Sequence, residues 1–358
     1  MVWVWIGFIL LILTLLSLDL GVFHRKAHAV SVKEACAWSV VWISLGISFS
    51  VFVYFGYENH WMGLGTKVDA TDGIINDGTT AMVKYLTGYI VEESLSVDNI
   101  FVIAMICSFF SVPAMYQHRV LFFGILGALV MRGLMIGIGA QLVSTFHWIL
   151  YIFGVFLVLT GIKMLFQKES HADPGNSFFV RMTRRIIPIT RQYHGKHFIV
   201  RAGHPSSLEG RNSGEAPLRD EVVENAKPGT WLLTPLGLAV IVVEFSDLIF
   251  AVDSIPAIFT ITADPFLVFT SNVFAILGLR SLYFAVAGML DTFRFLKVSL
   301  SLILVMIGVK MLTAKWIKLA LGEHFNFYLL GAIFGILTVG LIASIVIPHQ
   351  THHDEEAN

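Results

Sequence analysis

Val243-Glu244-Phe245-Ser246-Asp247-Leu248-Ile249-Phe250-Ala251-Val252-Asp253-Ser254 sets three carboxylates inside an apolar run that extends from about residue 231 to 259. A second run, 81–109, holds Tyr89-Ile90-Val91-Glu92-Glu93-Ser94-Leu95-Ser96-Val97-Asp98-Asn99. Aligning the two Val-Asp pairs puts Glu92 opposite Asp247 and Asp98 opposite Asp253. Each run exceeds the roughly 20 residues needed to cross a hydrocarbon core. The acids fall near the middle of both, where water is scarcest.

The rest of the chain is apolar in the same way. Of 358 residues, 56% are hydrophobic and only 14% charged, and the mean hydropathy is +0.76. Soluble domains carry about 25% charged residues, so this balance excludes an ordinary soluble enzyme. Nine spans follow from the apolar runs: 3–23, 36–57, 81–109, 117–141, 147–167, 231–259, 266–290, 296–314 and 325–347. The first has no basic residue ahead of it and Arg25 and Lys26 behind it, the charge order of a retained helix and not of a cleaved leader. The loop after it holds Arg25, Lys26 and Lys33, whereas the next is acidic, with Asp69, Asp72 and Asp77 against Lys67. Segment 168–228 carries ten Lys and Arg. Every second loop is therefore basic, which predicts an outside N-terminus and a cytoplasmic C-terminus; Lys315 and Lys318 fall on the opposite side. Cys36 and Cys107 lie singly in apolar runs and read as small buried residues, with no disulfide or thiolate-metal pattern.

The resemblance between the halves extends past the acidic motifs. Arg132 matches Arg280, and Gly161-Ile-Lys-Met-Leu matches Gly308-Val-Lys-Met-Leu, in the same order. With nine spans the two three-helix units enter the membrane from opposite sides. The expected fold is an all-α membrane protein with a three-plus-three inverted repeat, whose sites lie near the midplane at the repeat interface. The expected divisions are two helices and an outer loop (1–80), the first repeat (81–167), a cytoplasmic polar loop (168–230), the second repeat (231–314), and a last helix with its tail (315–358). Within the polar loop, residues 203–217 read as flexible, and the basic run before them suits anionic lipid better than nucleic acid.

Six acids, Glu92, Glu93, Asp98, Glu244, Asp247 and Asp253, carry the chemistry. Each mid-membrane acid costs about 2.5–3.5 kcal/mol, so six unpaired cost on the order of 15–20 kcal/mol. Arg132 and Arg280 can neutralise two of them. The excess of four calls for a wet cavity, protons or a divalent cation. Glu244 and Asp247 share a helical face. Asp247 and Asp253 lie about 120° apart and converge only if the helix breaks, for which Pro256 is the candidate. Glu93 is expected on a different face from Glu92. The available ligands are all oxygen, from the carboxylates, Ser94, Ser96, Asn99, Ser246 and Ser254, which favours Mn²⁺, Mg²⁺ or Ca²⁺ over zinc or copper. Asp19, late in the first span, could join the site or stand as a solvated acid.

These motifs, with Leu129-Val-Met-Arg132, the extension Asp253-Ser-Ile-Pro-Ala257, and Ser271-Asn-Val-Phe-Ala-Ile-Leu-Gly-Leu-Arg280, resemble those of the TerC family of membrane proteins, in particular its manganese-exporter branch. The resemblance runs from about residue 6 to 348, apart from the middle of the polar loop. It implies a transporter related to the LysE superfamily, in the cytoplasmic membrane, exporting Mn²⁺. It carries a metal-ligand role onto Glu92, Asp98, Glu244, Asp247 and Asp253, and a charge-partner role onto Arg132 and Arg280. The implied partners are the bilayer, the cation and protons, with no organic cofactor and no nucleic acid. Export of an amino acid or small organic cation, and a membrane factor that loads metal into exported proteins, are the alternatives. The Gly-x-Gly-Asp and His-Glu-x-x-His signatures of intramembrane proteases are missing, so no enzyme is expected.

Overall fold

The computed structural model describes residues 2–18, 32–146, 148–166, 187–204, 220–286, 294–313 and 325–346; Asp19 falls outside them, as do the side chains of Asp98 and Asp253. The architecture is all-α apart from one small ribbon. Helices α1 (Val2–Leu18), α2 (Val32–Glu58), α3 (Gly78–Phe109), α4 (Ala114–Thr145) and α5 (Ile149–Phe166) precede the polar insert. The insert contains strand β1 (Ile199–Arg201), short helix α6 (Glu221–Asn225) and strand β2 (Trp231–Leu233). Helices α7 (Pro235–Phe259), α8 (Pro265–Val286), α9 (Arg294–Leu312) and α10 (Phe325–Val346) complete the chain.

Among the described residues, α2, α4, α5, α7, α8 and α10 are each long and apolar enough to cross a membrane. Helix α1 and residues 298–312 of α9 are shorter apolar helices. Helix α3 spans 32 residues but carries Lys84, Glu92, Glu93 and Asp98, which dilute its apolar character. Length and apolarity thus establish six spans where the sequence count is nine. Large apolar side chains stand exposed on the outer faces, Leu134 on α4, Leu159 on α5 and Val339 on α10 among them. A surface so rich in exposed Leu, Ile and Phe belongs against lipid, not water. Helix α8 is the opposite case: 89% of its span is buried, so it forms the centre of the bundle.

Close helix contacts are made where glycine removes a side chain. A Cβ on Gly161 would fall 2.8 Å from the Ser301 carbonyl oxygen and 2.8 Å from Val305 Cγ2. A Cβ on Gly308 would fall 2.7 Å from the Gly154 carbonyl oxygen and 2.8 Å from Val158 Cγ2. Each glycine therefore meets the carbonyl seven residues before the other, and the valine three before it. Helices α5 and α9 run antiparallel in a reciprocal contact, and neither glycine admits even a methyl group without a backbone shift.

Hydrogen bonds sort the helix ends into two groups. At one end, Glu58 of α2 accepts from Gly78 N (3.0 Å), Thr71 donates to the Phe259 carbonyl (2.9 Å), and Lys310 of α9 donates to the Thr260 carbonyl (2.5 Å). At the other end, Tyr193 donates to the Phe110 carbonyl (2.6 Å), and Arg119 sits over the Phe198 ring. The acidic 59–77 loop and the basic insert therefore cap opposite ends of α3.

Three sequence expectations are corrected here. The span expected to begin at residue 231 begins at Pro235, because Trp231–Leu233 pair with β1 and Thr234 caps α7 by accepting from Gly237 N. The insert is more than a loop: Val200, Ala202, Val223 and Leu232 form a small apolar core, and Asp220 accepts from the Arg191 and Gln192 amides. Residues 205–219, most of the expected flexible stretch, lie outside the described residues. Finally, Cys107 is buried as expected but Cys36 is exposed, on the outer face of α2.

Candidate metal centre

Helix α4 packs against α7 and α8, both far along the chain, and lies across from α3, its neighbour in sequence. Arg132, near its middle, reaches α3 and α7. Its Nε and Nη2 donate to the two carboxylate oxygens of Asp247, at 3.1 and 2.8 Å, a bidentate fork. Its Nη1 donates to Glu92 Oε1 and approaches Ser254 Oγ at 3.5 Å. The side chains of Arg132, Glu92 and Asp247 are 2%, 1% and 11% exposed. Glu92 and Asp247 are the pair that the repeat alignment sets opposite each other, and the fold joins them through one cation.

That geometry decides what holds the acids. A buried carboxylate without a partner is strongly destabilising, and a guanidinium presents a rigid fork that serves two carboxylates at once. The trio still carries one net negative charge. Glu244 adds another, its carboxylate lying over Gly127 of α4, where an added Cβ would overlap it. Gly127→Ala is expected to leave folding intact, since the displaced group is the tip of a flexible side chain. Divalent-cation affinity, measured by isothermal titration, should fall about tenfold, or 1.4 kcal/mol; wild-type affinity would remove Glu244 from the site.

The other expected ligands divide. Ser94 and Ser246 donate to their own helices, at the Ile90 and Val242 carbonyls (2.5 and 2.8 Å). Ser96 Oγ, Asn99 Oδ1 and Glu92 Oε2 are buried with no hydrogen-bond partner among the described residues. Glu93 turns away from Arg132, with its carboxylate near the bare Cα of Gly278 on α8, in agreement with a separate face. Arg280 is buried on α8. Helix α7 continues through Pro256 to Phe259, so the candidate break at Pro256 does not occur. Asp98 and Asp253 lie on α3 and α7, six residues beyond Glu92 and Asp247. Among the described residues, no three His, Cys, Asp or Glu side chains converge as a ready metal cluster.

A second buried ionic cluster was not anticipated. Lys84, fully buried in α3, donates to Asp69 (2.9 Å) and Asn76 (2.7 Å) and pairs with Asp72 (2.7 Å). Asp69 also accepts from Thr262 Oγ1 (2.5 Å) and Ala263 N (2.8 Å), beyond the end of α7. Burial would push the Asp69 carboxyl up, but the Lys84 ammonium and the Thr262 hydroxyl outweigh it and hold it below its usual range. The available signal was a lysine within an apolar run, which demands a partner. What the sequence lacked was the partner's position, fifteen residues away across an irregular loop.

Residues 77–352 match the integral membrane protein TerC family. The chain is 42% identical over 342 residues to the "Uncharacterized membrane protein STKORF319" of Myxococcus xanthus, covering 96% of this chain and 92% of that one. It is 40% identical over 353 residues to the "Putative membrane-bound redox modulator Alx" of Escherichia coli (strain K12), covering 98% and 96%. A membrane protein of Rickettsia bellii is 34% identical over 342 residues, covering 96% and 97%. No solved structure matches the chain.

Proposed function

We propose a function from one premise: the chain belongs to the TerC family of integral membrane proteins. It is a secondary transporter that moves a divalent cation, Mn²⁺ foremost, out across the cytoplasmic membrane in exchange for protons. The observation that carries this reading is the pair Glu92 and Asp247, one acid from each motif, gathered inside the bundle on the single guanidinium of Arg132. The arrangement is that of a cation site held closed by an internal cation. An incoming Mn²⁺ competes with Arg132 for the same carboxylates, with Asp98, Asp253, Glu244 and Asn99 supplying further oxygen. Asp19 is the remaining candidate ligand. Arg280 serves the second half as Arg132 serves the first.

Oxygen-only ligands favour a hard cation, and the resemblance to manganese exporters selects Mn²⁺ and its outward direction. The reciprocal seating of Gly161 on α9 and of Gly308 on α5 supports a three-plus-three inverted repeat, within the nine spans counted from the sequence. The basic insert and acidic loop at opposite ends of α3 support an outside N-terminus and a cytoplasmic C-terminus. The redox wording of one relative's name has no counterpart in a dithiol here, since Cys36 and Cys107 are both free.

Proteoliposomes loaded with Mn²⁺ test the reading. Wild type should release Mn²⁺ faster when an inward proton gradient is imposed. Asp98→Asn and Asp253→Asn should each reduce release to the level of empty liposomes. Full flux in either variant would overturn the shared site, and indifference to the gradient would remove the proton coupling.

A further inference from the structure

Asn272, on the central helix α8, is fully buried, and neither its Oδ1 nor its Nδ2 has a hydrogen-bond partner among the described residues. A side-chain amide offers two donors and an acceptor, and burying all of them unpaired is unfavourable. Such a group persists where a ligand, or a side chain beyond the described ones, satisfies it.

Its neighbours show where it faces. Phe269 lies against Gly133 of α4, and Ser271 lies against Gly88 of α3. At about 100° per residue, Asn272 falls about 60° from Phe269 and about 100° from Ser271, on the arc between them. It is therefore directed between α3 and α4, two helices that the Arg132 side chain bridges. Gly88 precedes Glu92 by four residues, about one turn, and Gly133 directly follows Arg132. Between the two helices near that level Glu92 meets Arg132, and Glu92 Oε2 is buried with no partner among the described residues.

The equivalent position in the other half carries no amide. Aligning Arg132 with Arg280 sets Gly124 opposite Asn272. A Cβ on Gly124 would rest 3.0 Å from Val243 Cγ1, so that one position meets hydrocarbon on α7.

We infer that Asn272 is a neutral oxygen ligand of the transported divalent cation, delivered by a third helix beside Glu92. The inference rests on the cation-transport reading. A carbonyl oxygen beside a carboxylate is the ligand mixture that hard divalent cations take. It also sets selectivity, because a neutral ligand adds coordination without adding charge.

The test uses the full-length protein in nanodiscs, with Mn²⁺ and Mg²⁺ alone as probes. Isothermal titration gives affinity, and thermal melting without metal reports on the fold. Asn272→Leu should weaken Mn²⁺ binding at least tenfold while the metal-free melting temperature stays level or rises, because an unpaired amide is removed. Asn272→Asp should retain Mn²⁺ binding and shift the Mn²⁺ to Mg²⁺ affinity ratio. Should the Leu variant fail to fold, Asn272→Ser is titrated in its place against the same tenfold expectation. Affinities within twofold of wild type overturn the assignment of Asn272 alone. Absence of Mn²⁺ binding by the wild type overturns the transport reading, and this inference with it.

Discussion

Arg132→Gln is expected to destabilise the metal-free protein by about 3–5 kcal/mol, the range for removing one partner of a buried ionic cluster. The guanidinium holds Glu92 and Asp247 together inside the bundle, and glutamine leaves both carboxylates buried without a cation. The same substitution removes the competitor of the transported ion. Mn²⁺ should therefore stabilise the variant more than the wild type, restoring about 2.7 kcal/mol at a hundredfold excess over its Kd. Flux should nonetheless fall, since nothing remains to displace the ion from the site. Arg132→Lys should lie between, because a point charge cannot serve two carboxylates as the planar fork does. Thermal melts in nanodiscs with and without Mn²⁺ decide the matter. Equal metal-induced stabilisation of wild type and Arg132→Gln would mean that the arginine does not hold the ion's place.

Lys84→Met should bring a loss of similar size at neutral pH, about 3–5 kcal/mol, without touching the candidate metal centre. Lys84 ties Asp69, Asp72 and Asn76 to the start of α3, while Asp69 ties the same loop to Thr262 and Ala263. The pH dependence has a definite sign. In the wild type the Asp69 carboxyl is held below its usual value of about 3.9, so its contribution is present above that pH and lost as acid protonates it. Without Lys84, burial dominates and raises the carboxyl. Its contribution is then present in acid and lost as pH rises. The gap between variant and wild type should accordingly narrow from pH 7 toward pH 4. Adding Asp69→Asn should recover part of the loss at pH 7. A gap that is constant with pH would show that Asp69 is not the group left stranded.

The acidic motifs were legible because charge in an apolar run is expensive in any fold, so the composition alone marks α3 and α7 as special. Their equivalence in the repeat was read from the sequence, but their joint pairing with Arg132 was not. The repeat set Glu92 opposite Asp247, and the structure places both on Arg132. Glu93 was separable from Glu92 because adjacent helical residues point about 100° apart. The start of α7 was misjudged because Trp231, Leu232 and Leu233 are apolar for a different reason: they form a strand whose Leu232 fills the insert's own small core, whose Leu233 packs on the bundle, and whose Trp231 is exposed. Gly127 and Asn272 carried no visible signal, since a glycine that seats a carboxylate and a buried amide look ordinary until their neighbours across the bundle are known.

What the sequence by itself determined was an all-α membrane chain with two acidic helices and two arginines, since desolvation penalties and helical period act along a single segment. Only the tertiary structure decided that one arginine clasps an acid from each motif, that Lys84 pins the 59–77 loop, and that Asn272 is buried on α8 with no partner among the described residues. Those are matters of which helices touch, and at what depth. They follow from packing around α8 and across the close glycine contacts, which link residues more than a hundred positions apart.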